Sequence, residues 1–253
     1  DYPREKGWDL GKPIETSIIE DGSRKGVRFV FAFGKSKLVQ TVFLTEGSAR
    51  VDFETEVDWQ ENEKGLKAEF PTNLISDYAT YDIQFGSARR PTHRNTSWDQ
   101  AKFEVCANKY MDLSEPDFGL SLLNDCKYGH SCLGGKMAIT LLKSSNDPDP
   151  DCNRGQNSFT YSLLPHAGGA ENPEILKEAY ALNEPLFAVP VKKQGGSLPA
   201  EYSFITSSTP SVVPETLKAA EDGKGVIVRL LETKGTHTEA ALTFGTAPKA
   251  VTL

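Results

Sequence analysis

The clearest pattern in the chain is a strict alternation from Val51 to Trp59, VDFETEVDW. Val51, Phe53, Thr55, Val57 and Trp59 fall on one side; Asp52, Glu54, Glu56 and Asp58 fall on the other. Period two is the repeat of an extended strand, so this stretch predicts an antiparallel strand with one buried face and one acidic, solvated face. The same repeat recurs at Val27, Phe29, Phe31 and Phe33, and at Leu66, Ala68 and Phe70. Leu38–Leu44 reads as a mostly buried strand, and Tyr81, Ile83 and Phe85 as another. Further strands are expected near 103–107, 118–124, 136–143, 158–164, 226–231 and 240–244. Asn62–Gly65 is a turn, and the Pro-containing stretch 144–156 is a polar loop. Asn172-Pro173-Glu174 has the signature of a helix start, with Asn as cap and Pro in the first turn, running to about Leu182. Pro214–Ala220 reads as a short turn.

Many strands and few helix signals predict a mainly β fold, an antiparallel β-sandwich. Residues 1–165 are assigned to the large sandwich region, and 166–253 to its remainder or to a small C-terminal β subdomain. At 253 residues the chain is long enough to bury a substantial core without staples.

The segment from Arg89 to Asp125 breaks this rhythm. Arg89, Arg90, His93, Arg94, Asn95, Trp98 and Asp99 fall together with no alternation. Pro91 removes a backbone donor and biases Arg90 towards extended geometry, so the stretch reads as a shaped loop. A second polar loop, MDLSEPDFG, is expected after the strand near 103–107. Trp98 is expected to pack against a core beside the loop. Asn95-Thr96-Ser97 is formally a glycosylation acceptor, read here as part of the loop's own hydrogen bonding.

Charge and cysteines narrow the function classes. The net charge is −7, and Lys and Arg are spread along the chain, which argues against nucleic-acid partners. No apolar run approaches the length of a membrane span, and no leader sequence opens the chain, so the expectation is no membrane partner and a cytoplasmic protein. Four cysteines fit a reducing compartment better than a disulfide framework. Cys106 and Cys126 are expected to be buried thiols in apolar strands.

The usual catalytic constellations are weak here. Cys126, His130, Cys132 and Cys152 lack a paired CxxC, which argues against structural zinc. Asn146, Asp147, Asp149 and Asp151 are oxygen-rich, but two prolines and a missing Gly spoil a calcium loop. No nucleophile elbow accompanies the four histidines. Asp99, Asp112 and Glu115 are available as a carboxylate pair for glycoside chemistry, if two of them face each other.

RPTHRNTSWD, followed by FEVCANKYMDLSEPDFGLSLLNDCKYGHS, resembles the C-terminal β-region of glycoside hydrolase family 38 α-mannosidases, in their cytosolic and vacuolar branch. The likeness continues through MAITLLKSSNDPDPD, FTYSLLPH, AYALNEPLFAVP and VIVRLLET, and DYPREKGWDL resembles a segment inside that same region. It implies a retaining enzyme that cleaves terminal α-mannosyl linkages of oligosaccharides in free N-glycan catabolism. Its nucleophile, acid/base and divalent metal, usually zinc, belong to an N-terminal domain. No His-x-Asp motif for that metal occurs here, so the chain is expected to carry no cofactor of its own and no catalytic residue. It reads as a C-terminal fragment, inert alone, whose partners are the missing catalytic domain and mannose-containing oligosaccharides; a homo-oligomer stays open. The resemblance leaves a vacuolar location open for fungal members. His93, Arg94, Asn95 and Asp99 are the candidate substrate-binding residues, lining or buttressing a mannose site. The alternatives are a free-standing carbohydrate-binding β-sandwich and a purely structural or oligomerisation domain.

Overall fold

The computed structural model describes residues 7–193 and 195–252. Strand makes up 47% and helix 7%, which places the protein in the mainly β class that the alternation predicts. In chain order the elements begin with a four-strand meander: β1 (Glu15–Asp21), β2 (Arg24–Phe33), β3 (Ser36–Thr45) and β4 (Val51–Trp59). Next come β5 (Gly65–Pro71), β6 (Tyr78–Ile83), β7 (Gly86–Pro91), the short helix α1 (Ser97–Ala101) and β8 (Val105–Cys106). They are followed by β9 (Tyr110–Ser114), β10 (Phe118–Asn124), β11 (Gly129–Leu133), β12 (Lys136–Lys143), β13 (Gly155–Ala167) and helix α2 (Pro173–Asn183). The last strands are β14 (Ile205–Ser207), β15 (Val212–Ala219), β16 (Val226–Glu232) and β17 (Leu242–Phe244).

Two compact units result. One holds the described residues up to 83 together with 88–185, and the other holds 84–87 with 186 onward. The first contains two stacked sheets. The large one runs β1-β2-β3-β4-β13-β10-β9-β6-β7, and the small one β5-β12-β11-β8. Between them lies a core in which Leu38, Val57, Trp59, Tyr81, Met111, Leu122 and Phe159 of the large sheet meet Leu66, Met137, Ile139 and Leu141 of the small one. Phe53 stacks on Tyr161 at 5.0 Å, and Phe70 of β5 tilts against both rings. This is face-to-face sandwich packing, with inward residues alternating along each strand.

Strand β13 is the hinge of the large sheet's order. It pairs antiparallel with β4 on one side and with β10 on the other. Neither neighbour is adjacent to it in sequence, so the meander β1–β4 and the later group β10-β9-β6-β7 meet only through these thirteen residues.

Part of the opposite face of the large sheet, over β10 and β13, is covered by α2, and this corrects the reading of the acidic face of β4. Ile175 and Ala179 of α2 pack on Tyr110, Leu123 and Leu164. The helix starts as the sequence predicts, with the Asn172 side chain accepting from the Glu174 N–H at 2.9 Å. Under its edge Asp52 is only 6% exposed rather than solvated. It accepts from Arg50 Nε and from the Ser162 hydroxyl, each at 2.6 Å, while Arg50 also reaches the Glu178 carbonyl on α2 at 3.1 Å. A carboxylate can be buried in this way because charged donors replace its water. Of the four acidic residues, Glu56 alone is fully open to solvent, and Glu54 pairs with Arg24.

Other departures follow from pairing that no local pattern reveals. Residues 89–91, read as the start of the loop, close the strand Gly86–Pro91, and residues 111–114, the start of the expected second polar loop, lie in the interior strand β9. Met111 and Leu113 are fully buried there. The strand expected near 103–107 shortens to two residues. Cys106 and Cys126 are exposed rather than buried, and Cys132 is the buried thiol. In the second unit, Val212–Ala219 is a strand rather than a turn. It pairs with β16 through a register shift between Pro214 and Thr216, which accommodates the proline's missing donor.

Candidate functional site

The segment after β7 is held at its root by backbone bonds. Thr92 is buried, donates its N–H to Asp77 and its hydroxyl to Ser76, and accepts from Gly134. Beyond it the chain turns outward. His93, Arg94 and Asn95 are exposed, and the His93 Nδ1 accepts from the Asn95 N–H at 3.4 Å. Thr96 then caps α1. Its hydroxyl oxygen accepts from the Asp99 N–H at 3.1 Å and donates to the Asp99 carboxylate at 2.7 Å. This is a short-armed version of the reciprocal capping box, with Asp where Glu is usual. Of the sequon residues, Thr96 and the Asn95 N–H are thus engaged in local bonding, and Asp99 is a brace of the loop itself.

One cleft gathers most of the predicted residues. His93, Arg94 and Asp99 line it together with Tyr81, Arg90 and His130, around a cavity of about 30 Å³. Asn95 does not line it. The Arg90 guanidinium lies 5.8 Å from the Tyr81 ring and that of Arg94 5.5 Å from Phe103, at cation–π distances. With Lys102 also on the wall, three fixed cations face the single carboxylate of Asp99, so the cleft is net positive. Trp98 does not pack at all: it stands 79% exposed beside the cleft, against the expectation of core packing. None of the five residues of this helix is buried.

Three features of the floor were not legible as site residues. Tyr81 reads as plain core, Arg90 as loop, and His130 only as a weak metal candidate. His130 lies on β11 opposite Val105 of β8 and Ile139 of β12, facing inward, and is fully buried. Burial drives its pKa down to about 4, the Tyr128 backbone and Glu104 counteracting only in part. The imidazole is therefore neutral near pH 7.

The carboxylates weighed for glycoside chemistry do not form a pair. Asp99 serves the cap, and Glu115 accepts from the Ile75 N–H at 2.8 Å. Asp112 is 1% exposed on the α2-covered face, where it accepts from the Ser121 hydroxyl at 2.6 Å, from Ser114, and from His166 Nε2 at 2.7 Å. Burial alone would lower the pKa of His166, but the bond to Asp112, its charge and the Ala167 carbonyl outweigh that and hold it above its ordinary value. Among the described residues no three His, Cys, Asp or Glu side chains converge as a metal would need. No helix among them is long and apolar enough to cross a membrane. A wider groove, about 1230 Å³, is lined by Trp8, Asn62, Lys64, Lys67, Glu69 and Asn146 among others.

Comparison with known proteins agrees with this architecture. Residues 3–151 match the family described as "Glycosyl hydrolases family 38 C-terminal domain", and residues 211–253 match "Glycosyl hydrolases family 38 C-terminal beta sandwich domain". The chain is 44% identical over 227 residues to alpha-mannosidase 2C1 of Homo sapiens, covering 88% of this chain and 22% of that protein. It is 43% identical over 261 residues to alpha-mannosidase G of Dictyostelium discoideum, covering 95% and 24%. It therefore spans about a quarter or less of the length of these curated relatives. In fold it is similar to the crystal structure of an alpha-mannosidase from Enterococcus faecalis V583, with a TM-score of 0.81 at 17% identity, over 92% of this chain and 31% of that one.

Proposed function

This chain belongs to family 38 of the glycosyl hydrolases, and on that premise we propose that it is the C-terminal β-part of a retaining, metal-dependent α-mannosidase. The whole enzyme hydrolyses terminal α-mannosyl linkages of oligosaccharides in cytoplasmic catabolism of free N-glycans. Its nucleophile, acid/base and divalent metal, with zinc the expected ion, lie in a part of the polypeptide outside this sequence. By itself the chain is inactive towards aryl α-mannosides. We assign residues 1–165 to the large sandwich region, and 166–253 to its remainder or to a small C-terminal β subdomain.

The role proposed for this part is to wall the mannose site. The observation that carries it is the convergence of His93, Arg94 and Asp99 on one cationic cleft. Sugar hydroxyls are recognised by many directional donors and acceptors, which guanidinium, imidazole and carboxylate groups supply. Asn95 belongs to the same loop and contributes by holding His93 through its N–H. The test is His93→Ala and Asp99→Asn in the full-length enzyme, with kinetics and a melting curve for each. A loss of about tenfold or more in kcat/KM, about 1.4 kcal/mol of transition-state binding, with an unchanged melting temperature supports the wall. Activity that tracks melting temperature, or does not change, refutes it.

A second reading is favoured by Trp98, an open indole beside a polar cleft. A free carbohydrate-binding module presents such a ring to the apolar face of a sugar. Titration of this chain with mannose and mannobiose separates the two: saturable binding abolished by Trp98→Ala supports the module, and no binding leaves the wall.

A further inference from the structure

The floor of the cleft holds polar groups that the loop does not explain. Among the described residues, neither ring nitrogen of the fully buried His130 has a hydrogen-bond partner, and the buried Nε of Arg90, which lines the same cavity, has none either. An unpaired buried polar group is costly, so three such atoms on residues that line one cleft call for a partner. The cavity of about 30 Å³ has room for water.

Chemistry narrows the occupant further. The neutral imidazole offers one N–H and one lone pair, whereas Arg90 Nε–H can only donate. The Tyr128 backbone stands beside the ring as an acceptor, outside hydrogen-bonding geometry, which suits one ring N–H turned towards it. The other ring nitrogen is then left as an acceptor in the cavity lining that Arg90 shares. A cation would meet a guanidinium, and an anion would meet a lone pair. A hydroxyl group satisfies both, because it donates and accepts at once.

We propose that His130 and Arg90 form a buried hydroxyl site, filled by one ordered water that donates to the His130 ring and accepts from Arg90 Nε–H. The water ties the core strand β11 to the end of β7, where the exposed loop begins. His130 is thus a positioning residue for Arg90. This holds whether or not the cleft binds a sugar.

The test uses this chain. A high-resolution crystal structure is expected to show one water within hydrogen-bond distance of both groups. In solution, the Arg90 Nε–H resonance is expected to exchange slowly, and His130→Phe, which fills the void and removes the acceptor, to speed that exchange by about tenfold or more. His130→Gln, which keeps a donor and an acceptor, is expected to retain slow exchange. A dry cavity, or Arg90 Nε–H exchange indifferent to His130→Phe, overturns the proposal. Should His130→Phe fail to fold, the wild-type density and the Gln variant decide: an empty site, or fast exchange in both proteins, is again fatal.

Discussion

His166 Nε2 lies 2.7 Å from Asp112 Oδ2, although 54 residues separate the two in sequence, and both side chains are sealed on the sheet face that α2 covers. A raised imidazole pKa in the folded state means that protonation favours folding. This stabilisation is fully present below the unfolded value of about 6.5 and is lost as pH rises through the folded value. His130 works in the opposite direction: buried neutral with a pKa of about 4, it destabilises the fold as pH falls from about 6.5 towards 4. Urea unfolding is therefore expected to weaken both on the alkaline side and towards acid. Asp112→Asn should flatten the alkaline limb alone, and an alkaline limb unchanged by that substitution contradicts the assignment.

Gly119 makes this pair possible. It faces His166 across the β10–β13 register, and a Cβ there would sit 2.6 Å from His166 Nε2, closer still to His166 Cε1 and Ser114 Oγ. Gly119→Ala is expected to destabilise by about 1–3 kcal/mol, the usual range for overpacking, and to move the His166 imidazole resonances. Chemical denaturation and histidine NMR check both effects. A variant as stable as wild type would show that the strands yield easily.

Arg50 is the expected weak point of the helix–sheet contact. Its guanidinium bonds Asp52 and the backbone of Glu178 together. Removing it in Arg50→Met leaves Asp52 buried with the Ser162 hydroxyl as its remaining donor. A loss of about 3–5 kcal/mol is expected, as when one partner of a buried ion pair is deleted. Double substitution with Asp52→Leu should recover much of it, and an additive double mutant would argue against the pairing.

The thiols should label in a definite order. Cys106 is exposed, so alkylation near neutral pH is expected there first. Cys132 is buried and its pKa is pushed up to about 11 by that burial. Cys126 is exposed but also held at about 11, by partial burial and by neighbouring Asp125. The thiolate is the reacting species, so both should lag. Peptide mapping after a short iodoacetamide pulse gives the order, and Cys132 reacting early would show that β11 opens.

What the sequence revealed and what it hid divide along physical lines. Strand β4 announces itself through alternation, β10 and β12 through apolar runs, and α2 through its Asn-Pro cap. Strands β7 and β9, whose charged residues interrupt the pattern, do not. β9 alternates Met111 and Leu113 with the buried Asp112, whose partner His166 is remote in the chain, so it reads as a polar loop. The residues of the cleft show a similar split. His93, Arg94 and Asp99 were visible because charged side chains crowd an irregular segment, and three of the four candidates line one cavity. Tyr81, Arg90 and His130 come from three separate strands, and only folding brings them together. Trp98 was misread because it sits on a five-residue helix with no buried residue, which its hydropathy does not reveal.

The place of β13 between β4 and β10 also dictates an order of assembly. The hairpins of β1–β4 need only neighbouring residues, so they can form as soon as they are made, whereas the central partner arrives about a hundred residues later. Such non-local closure is slow relative to hairpin formation. Until it happens the nascent chain carries two open rows of backbone donors and acceptors, on β4 and on β10, each able to recruit a strand from another molecule. Shielding those two rows during synthesis is thus a task for the cell's chaperones, and a chain cut short before Gly155 would keep both rows open.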